Sequence, residues 1–188
     1  MLNATTLNRP NPRESELIKE KIMELKQEII KEAKRLEECA CYSAKGHYNA
    51  SKRYARYNYR LGLIIIILSS LAAGVSMFFE DSKLIIICSI LNTIISSVLT
   101  FCKYNEKSIS HFGSANNYSS LEINLRYFYN IGINCVDECE AAQNLQKYIK
   151  ERDKLNRESL IIDEIDYKKA KKGIENGEAD FKIDGGTL

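Results

Sequence analysis

Two uncharged runs decide the fold: LGLIIIILSSLAAGVSMFF (residues 61–79) and LIIICSILNTIISSVLTFC (residues 84–102), joined by EDSK (residues 80–83). Each run is 19 residues long and holds 11 residues drawn from Leu, Ile, Val and Phe. At about 1.5 Å per residue each covers roughly 28 Å as a helix, close to the thickness of a bilayer's hydrocarbon core. At about −0.3 to −0.6 kcal/mol apiece in mid-bilayer, those side chains favour insertion by roughly 3 to 7 kcal/mol before polar penalties. In lipid every backbone N–H and C=O must be satisfied within its own helix, so a four-residue connection predicts an antiparallel two-helix transmembrane hairpin. Both flanks then emerge on one side.

Charge predicts which side. Lys45, Lys52, Arg53, Arg56 and Arg60 precede the first run, Lys103 and Lys107 follow the second, and the turn carries Glu80, Asp81 and Lys83. An excess of Lys and Arg marks the cytoplasmic face, so both termini are expected in the cytoplasm. Lys52, Arg53, Arg56, Arg60 and Lys103 are the candidate membrane-surface cations, with Tyr48, Tyr54, Tyr57 and Tyr59 as an interfacial belt. Cations interleaved with aromatics also suit single-stranded nucleic acid. Their position beside a span favours anionic lipid headgroups, and no direct nucleic-acid partner is expected.

The composition fits one membrane hairpin plus a modest helical cytosolic part. A mean hydropathy of −0.29 averages a very apolar middle with polar flanks. The net charge of +2 hides an asymmetry, since residues 1–60 carry 13 basic and 8 acidic side chains and residues 103–188 carry 13 and 15. The first apolar run stands behind a long charged segment, which predicts a retained anchor rather than a cleaved signal. Six cysteines, four of them on the expected cytoplasmic side, do not suggest a disulfide framework.

Along the chain, residues 1–13 with Pro10 and Pro12 read as a disordered tail. Residues 14–60 read as a cytosolic amphipathic helix, because Ile18, Ile22, Leu25, Ile29, Ala33, Leu36 and Ala40 recur at spacings of three and four, nearly as in a coiled-coil strand. Neither Pro nor a glycine cluster stops it, so it is expected to continue, with a kink near Gly46, into the first span. Residues 103–177 read as a helical region in which Leu121, Leu125, Phe128, Cys135, Cys139, Ala142 and Ile149 form an apolar face interrupted around Gly132, able to pack as a bundle against the N-terminal helix. Asp163 and Asp166 are candidate caps for a last helix from Ile165 to about Ile174. Residues 178–188 read as a flexible tail.

Within the spans, Gly62, Ser69, Ala73 and Ser76 form a small-residue stripe along which another helix can approach. In the second span Ser89, Asn92, Thr93, Ser96, Ser97 and Thr100 fall inside an arc of roughly 140° at 100° per residue. Such a face either lines an aqueous path among several hairpins, or packs, with hydroxyls bonding their own carbonyls and Asn92 reaching across a helix pair. In a channel, Ile85 and Ile86 would form the apolar constriction. Cys135 and Cys139 lie one turn apart, but no second pair completes a metal site, and neither metal nor cofactor is expected. His47 and His111 stand at comparable distances from their spans and can meet each other or respond to pH, although packed hydrogen-bonded roles are the plainer reading. No phosphate loop, HExxH pair or GxSxG turn occurs, and two helical arms offer little concave scaffold, so an enzyme is not expected.

Several local words form a resemblance. Ala44, His47, Tyr48, Ala50, Arg53 and Arg60-Leu61-Gly62, then residues 68–74 (LSSLAAG), and beyond the second run Phe101, Glu106, His111, Gly113, Asn117, Tyr118, Leu121 and Arg126 resemble the SLATT family of two-transmembrane effector domains, over about Ala44 to Phe128. The resemblance implies an effector of a bacterial anti-phage conflict system, placed in the inner membrane. It implies assembly into a homo-oligomer that perforates or disrupts the membrane when a cytosolic sensor partner, such as a nucleotidyltransferase or reverse transcriptase, activates it. An alternative from another class is a membrane-anchored helical scaffold that docks a cytosolic partner without forming a pore.

Overall fold

A computed structural model describes residues 12–78 and 82–180. Among these residues the structure is all-helical, without strands: α1 (Pro12–Phe78), α2 (Ser82–Cys102), α3 (Tyr104–Asn130), a 3-10 turn (Gly132–Asn134), α4 (Glu138–Glu158) and α5 (Glu164–Glu175). Two helices are long and apolar enough to cross a membrane. Residues 1–11 of the expected N-terminal tail, residues 79–81 of the expected turn and residues 181–188 lie outside the described residues.

Two boundaries differ from the sequence reading. The first helix starts at Pro12 rather than Glu14, because proline's fixed φ and missing N–H suit the first helical position. The C-terminal boundary also moves, because residues 176–179 form a turn that closes α5 before any tail begins. α1 runs through Gly46 as one continuous helix. The glycine's missing Cβ seats Ile162, whose Cδ1 would lie 2.9 Å from an added Cβ.

The chain divides into two compact units. One joins α1 up to Ala40 with residues 120–154. Ile29, Ala33, Leu36 and Ala40 are buried there, as are Leu121, Leu125, Phe128, Ile133, Ala141 and Leu145. Burying such side chains is the main source of stability. Polar ties add direction: Glu37 accepts hydrogen bonds from Arg126 Nε at 2.8 Å and Tyr129 Oη at 2.9 Å. Ile18, Ile22 and Leu25, expected on the same buried face, are exposed.

The apolar face predicted across residues 121–149 is corrected in its second half. Cys135, Cys139 and Ala142 are exposed, and Ala141 and Leu145 are buried instead. The 3-10 turn at Gly132–Asn134 breaks the helix, so the register restarts at α4, where the Asp137 carboxylate accepts the Glu140 N–H at 2.8 Å as an N-cap.

The second unit holds residues 41–119 and 155–188. Ser69 meets Asn92, Ser51 meets Ser108 and His47 meets His111. Residue numbers rise on one side as they fall on the other, so α1 runs antiparallel to α2 and α3. Between α2 and α3 stands Lys103 with φ 50°, a left-handed conformation that L residues adopt at a cost. Its side chain pairs with Glu106 at 3.0 Å.

Candidate functional site

The polar face of α2 is where the sequence placed it, and its hydroxyls bond mostly within the helix. Ser89 donates to the Ile85 carbonyl, Thr93 to Ser89, Ser97 to Thr93 and Thr100 to Ser96, at 2.7 to 2.9 Å. This satisfies each hydroxyl without a second helix. Asn92 does reach across, its Nδ2 donating to Ser69 Oγ at 2.8 Å, while its Oδ1 is buried and unpaired. Asn92, Thr93, Ser96, Ser97 and Thr100 also line one shallow groove that runs to Phe101 and Lys103.

Around that groove the apolar side chains are bare. Only 6% of each apolar window is buried, and Ile66, Ile67, Leu71, Ile87, Ile90 and Ile94 are all exposed. Within the small-residue stripe, Ser69 makes the Asn92 contact, whereas a Cβ added at Gly62 would meet no atom within 4 Å, and Ala73 and Ser76 are exposed.

The tight seam of this unit lies outside the apolar runs. Ala44, Ala50, Ser51, Ser108 and Ala115 are buried together with His47 and His111. Ser108 Oγ donates to the Ser51 carbonyl at 3.0 Å, an approach that only small side chains allow. The two imidazoles meet Nδ1 to Nδ1 at 2.8 Å, so one Nδ1 carries the proton and the other accepts it. His47 stacks on Tyr118 and His111 on Tyr54, with ring centroids 5.5 Å apart in each pair. Burial, followed by the neighbouring His111, pushes the His47 pKa down to about 4. Burial also lowers that of His111, with Arg53 and Lys107 acting in the same direction and Asp166 and Asp163 opposing.

A signal for this seam was present in the sequence: a small residue, a histidine and a small residue stand about one turn apart in Ala44, His47 and Ser51 on one helix and in Ser108, His111 and Ala115 on the other. Antiparallel packing brings His47 to His111 and Ser51 to Ser108.

The cationic collar is corrected at one position. Arg53 is turned inward rather than offered to a membrane surface: its Nε and Nη2 donate to Asp166 Oδ2 at 3.0 and 2.8 Å, and Nη2 also donates to Asp163. The hydrogen bond to Asp166 raises the guanidinium's pKa further, so it stays charged although burial opposes this. Asp166 is buried and Asp163 makes no side-chain cap bond. The two carboxylates expected as caps therefore serve the ion pair, because the buried Asp166 carboxylate needs its cation more than a helix end needs one acceptor. Lys52, Arg56 and Arg60 remain exposed, as does Lys103.

Cys135 and Cys139 are exposed free thiols. Among the described residues no three His, Cys, Asp or Glu side chains gather as a metal-binding group. Comparison with protein-family models, curated proteins and solved structures finds no match.

Proposed function

We propose that α1 and α2 cross the bacterial inner membrane as an antiparallel hairpin with both flanks cytoplasmic, and that the protein is a SLATT-like effector of an anti-phage system. On this reading several copies gather in the membrane and perforate or disrupt it when a cytosolic sensor, of the nucleotidyltransferase or reverse-transcriptase kind, activates them. The observation that carries the reading is one groove on α2 lined by its amide and hydroxyl residues, amid helices whose apolar side chains are otherwise bare. Soluble monomers rarely leave so much contiguous apolar surface uncovered. In lipid an unsatisfied polar group favours water or another helix, and the unpaired Asn92 Oδ1 carries a cost of about 1–3 kcal/mol that a neighbour's hydroxyl or a water would recover.

Dye release from vesicles carrying the purified protein tests this. Release is expected from the assembled protein and is expected to vanish when Ser96, Ser97 and Thr100 are replaced by Leu. Release unchanged by those replacements, or extraction of the wild-type protein by carbonate, rejects the reading.

A second reading is supported by the self-satisfied hydroxyls of α2 and the Asn92 bridge to Ser69, which need no third helix. Here the hairpin is an anchor and the helical arms dock a cytosolic partner. Exchanging residues 61–102 for an unrelated transmembrane hairpin separates the two: a scaffold keeps its cellular activity and a pore loses it.

A further inference from the structure

Against α5 lies a small surface cleft of about 200 Å³, lined by Lys45, Tyr48, Asn49, Lys52, Lys169 and Glu178, in which the Glu178 side chain is well exposed. Three lysines from two helices line it together with one carboxylate. Glu178 Oε2 stands 3.0 Å from Lys45 Nζ, and the hydrogen bond from Lys45, followed by the charges of Lys45, Lys169 and Lys52, lowers the Glu178 pKa. Tyr48 and Asn49 are committed elsewhere, donating to Asn116 Oδ1 at 2.7 Å and to the Asp166 carbonyl at 3.3 Å. The charged donors of the cleft are therefore its lysines.

The backbone is built to deliver that carboxylate. Gly177 has φ +80°, its N–H donates to the Ile174 carbonyl at 2.9 Å, and the Glu178 N–H donates to the Gly173 carbonyl at 3.0 Å. This is a Schellman closure, in which the residue at Glu178's position ordinarily packs an apolar side chain back on the helix. Here an acid does so, over a glycine: a Cβ at Gly173 would lie 2.5 Å from Glu178 Oε2 and 2.9 Å from its Cδ.

We propose that this cleft is a phosphate-binding site whose resting occupant is the chain's own Glu178 carboxylate, displaced when a phosphate group enters. One carboxylate offsets one of three ammonium charges, whereas a phosphate monoester brings close to two negative charges and several acceptor oxygens for the same donors. The phosphate comes from a lipid headgroup or a soluble compound, and the same lysines serve either. The site does not depend on whether the apolar helices form a pore.

The test is calorimetric titration of the full chain in neutral detergent with pyrophosphate at fixed ionic strength. Glu178→Gln is expected to tighten binding about fivefold, the scale of one exposed ion pair. Lys52→Gln and Lys169→Gln are each expected to weaken it about tenfold, the scale of one charged hydrogen bond. Unchanged helical circular dichroism and Tm establish that each variant folds. Equal or weaker binding by Glu178→Gln, or full affinity in both lysine variants, overturns the proposal. Vesicles then assign the source. If phosphatidic acid in phosphatidylcholine lowers the pyrophosphate affinity of the wild-type chain more than an equal charge from oleate, a headgroup fills the site. An equal effect assigns it to a soluble phosphate.

Discussion

Acidification should loosen the seam between α1 and α3 before it titrates the carboxylates. The perturbation is a shift from pH 7.5 to pH 5 on the wild-type chain and on His47→Gln/His111→Gln. In the folded state His47 is pushed down to about 4 from an ordinary 6.5. Between those values the unfolded chain binds more protons than the folded one, so stability rises with pH across the window and is lost as pH falls through it. For His47 alone that amounts to about 2 kcal/mol lost at pH 5. His111, also lowered, adds to it. A second proton would set two N–H donors against each other across 2.8 Å, with Arg53 and Lys107 nearby and only Asp163 and Asp166 to compensate. At 2 to 4 °C per kcal/mol for a chain of this size, Tm should fall by about 4–8 °C in detergent. The glutamine pair should flatten that dependence. A wild-type Tm equal at the two pH values, or a drop that survives in the double variant, would refute the reasoning.

Lys103→Gly should raise Tm by about 1–3 °C, because relief of the left-handed strain outweighs glycine's extra unfolded-state entropy by about half to one kcal/mol, whereas Lys103→Val should lower it. Arg53→Gln should cost about 3 kcal/mol by leaving the Asp166 carboxylate buried without its cation, and should speed protease cleavage around residues 159–163. Arg53→Met combined with Asp166→Leu should recover most of that loss in thermal unfolding. Asp137→Ala should cost about 1 kcal/mol through the lost cap of α4, read as a Tm drop of about 2–4 °C.

What was legible in the sequence was whatever repeats locally. The uncharged runs, the spacing of Ile29, Ala33 and Leu36, and the break at Gly132 each follow from periodicity or from a residue's backbone preference, and the helices stand where those signals put them. The pairings were not legible. Nothing near Arg53 in the chain announces Asp163 and Asp166, more than a hundred residues away, so a cation beside an apolar run read as a lipid ligand. The packing of Ile162 over Gly46 was hidden for the same reason, since the two are more than a hundred residues apart. Beyond Gly132 the apolar spacing was extrapolated through a turn that resets the helix, which misassigned Cys139 and Ala142. The polar face of α2 was legible as a face, but its hydroxyls' partners depend on rotamers that sequence does not contain.

Lys103 makes the two legs of the second unit mechanically unequal. From Cys41 to Phe78 α1 has no joint, so a twist applied at the histidine seam is carried directly into the apolar run. On the return leg the helix is interrupted at one left-handed residue, and hydrogen bonds from the Lys103 N–H to the Leu99 carbonyl at 3.2 Å and from the Lys107 N–H to the Lys103 carbonyl at 3.0 Å bridge the interruption. One leg is a plain shaft and the other a shaft with a single keyed joint, so the direction in which the groove of α2 faces is set at that joint.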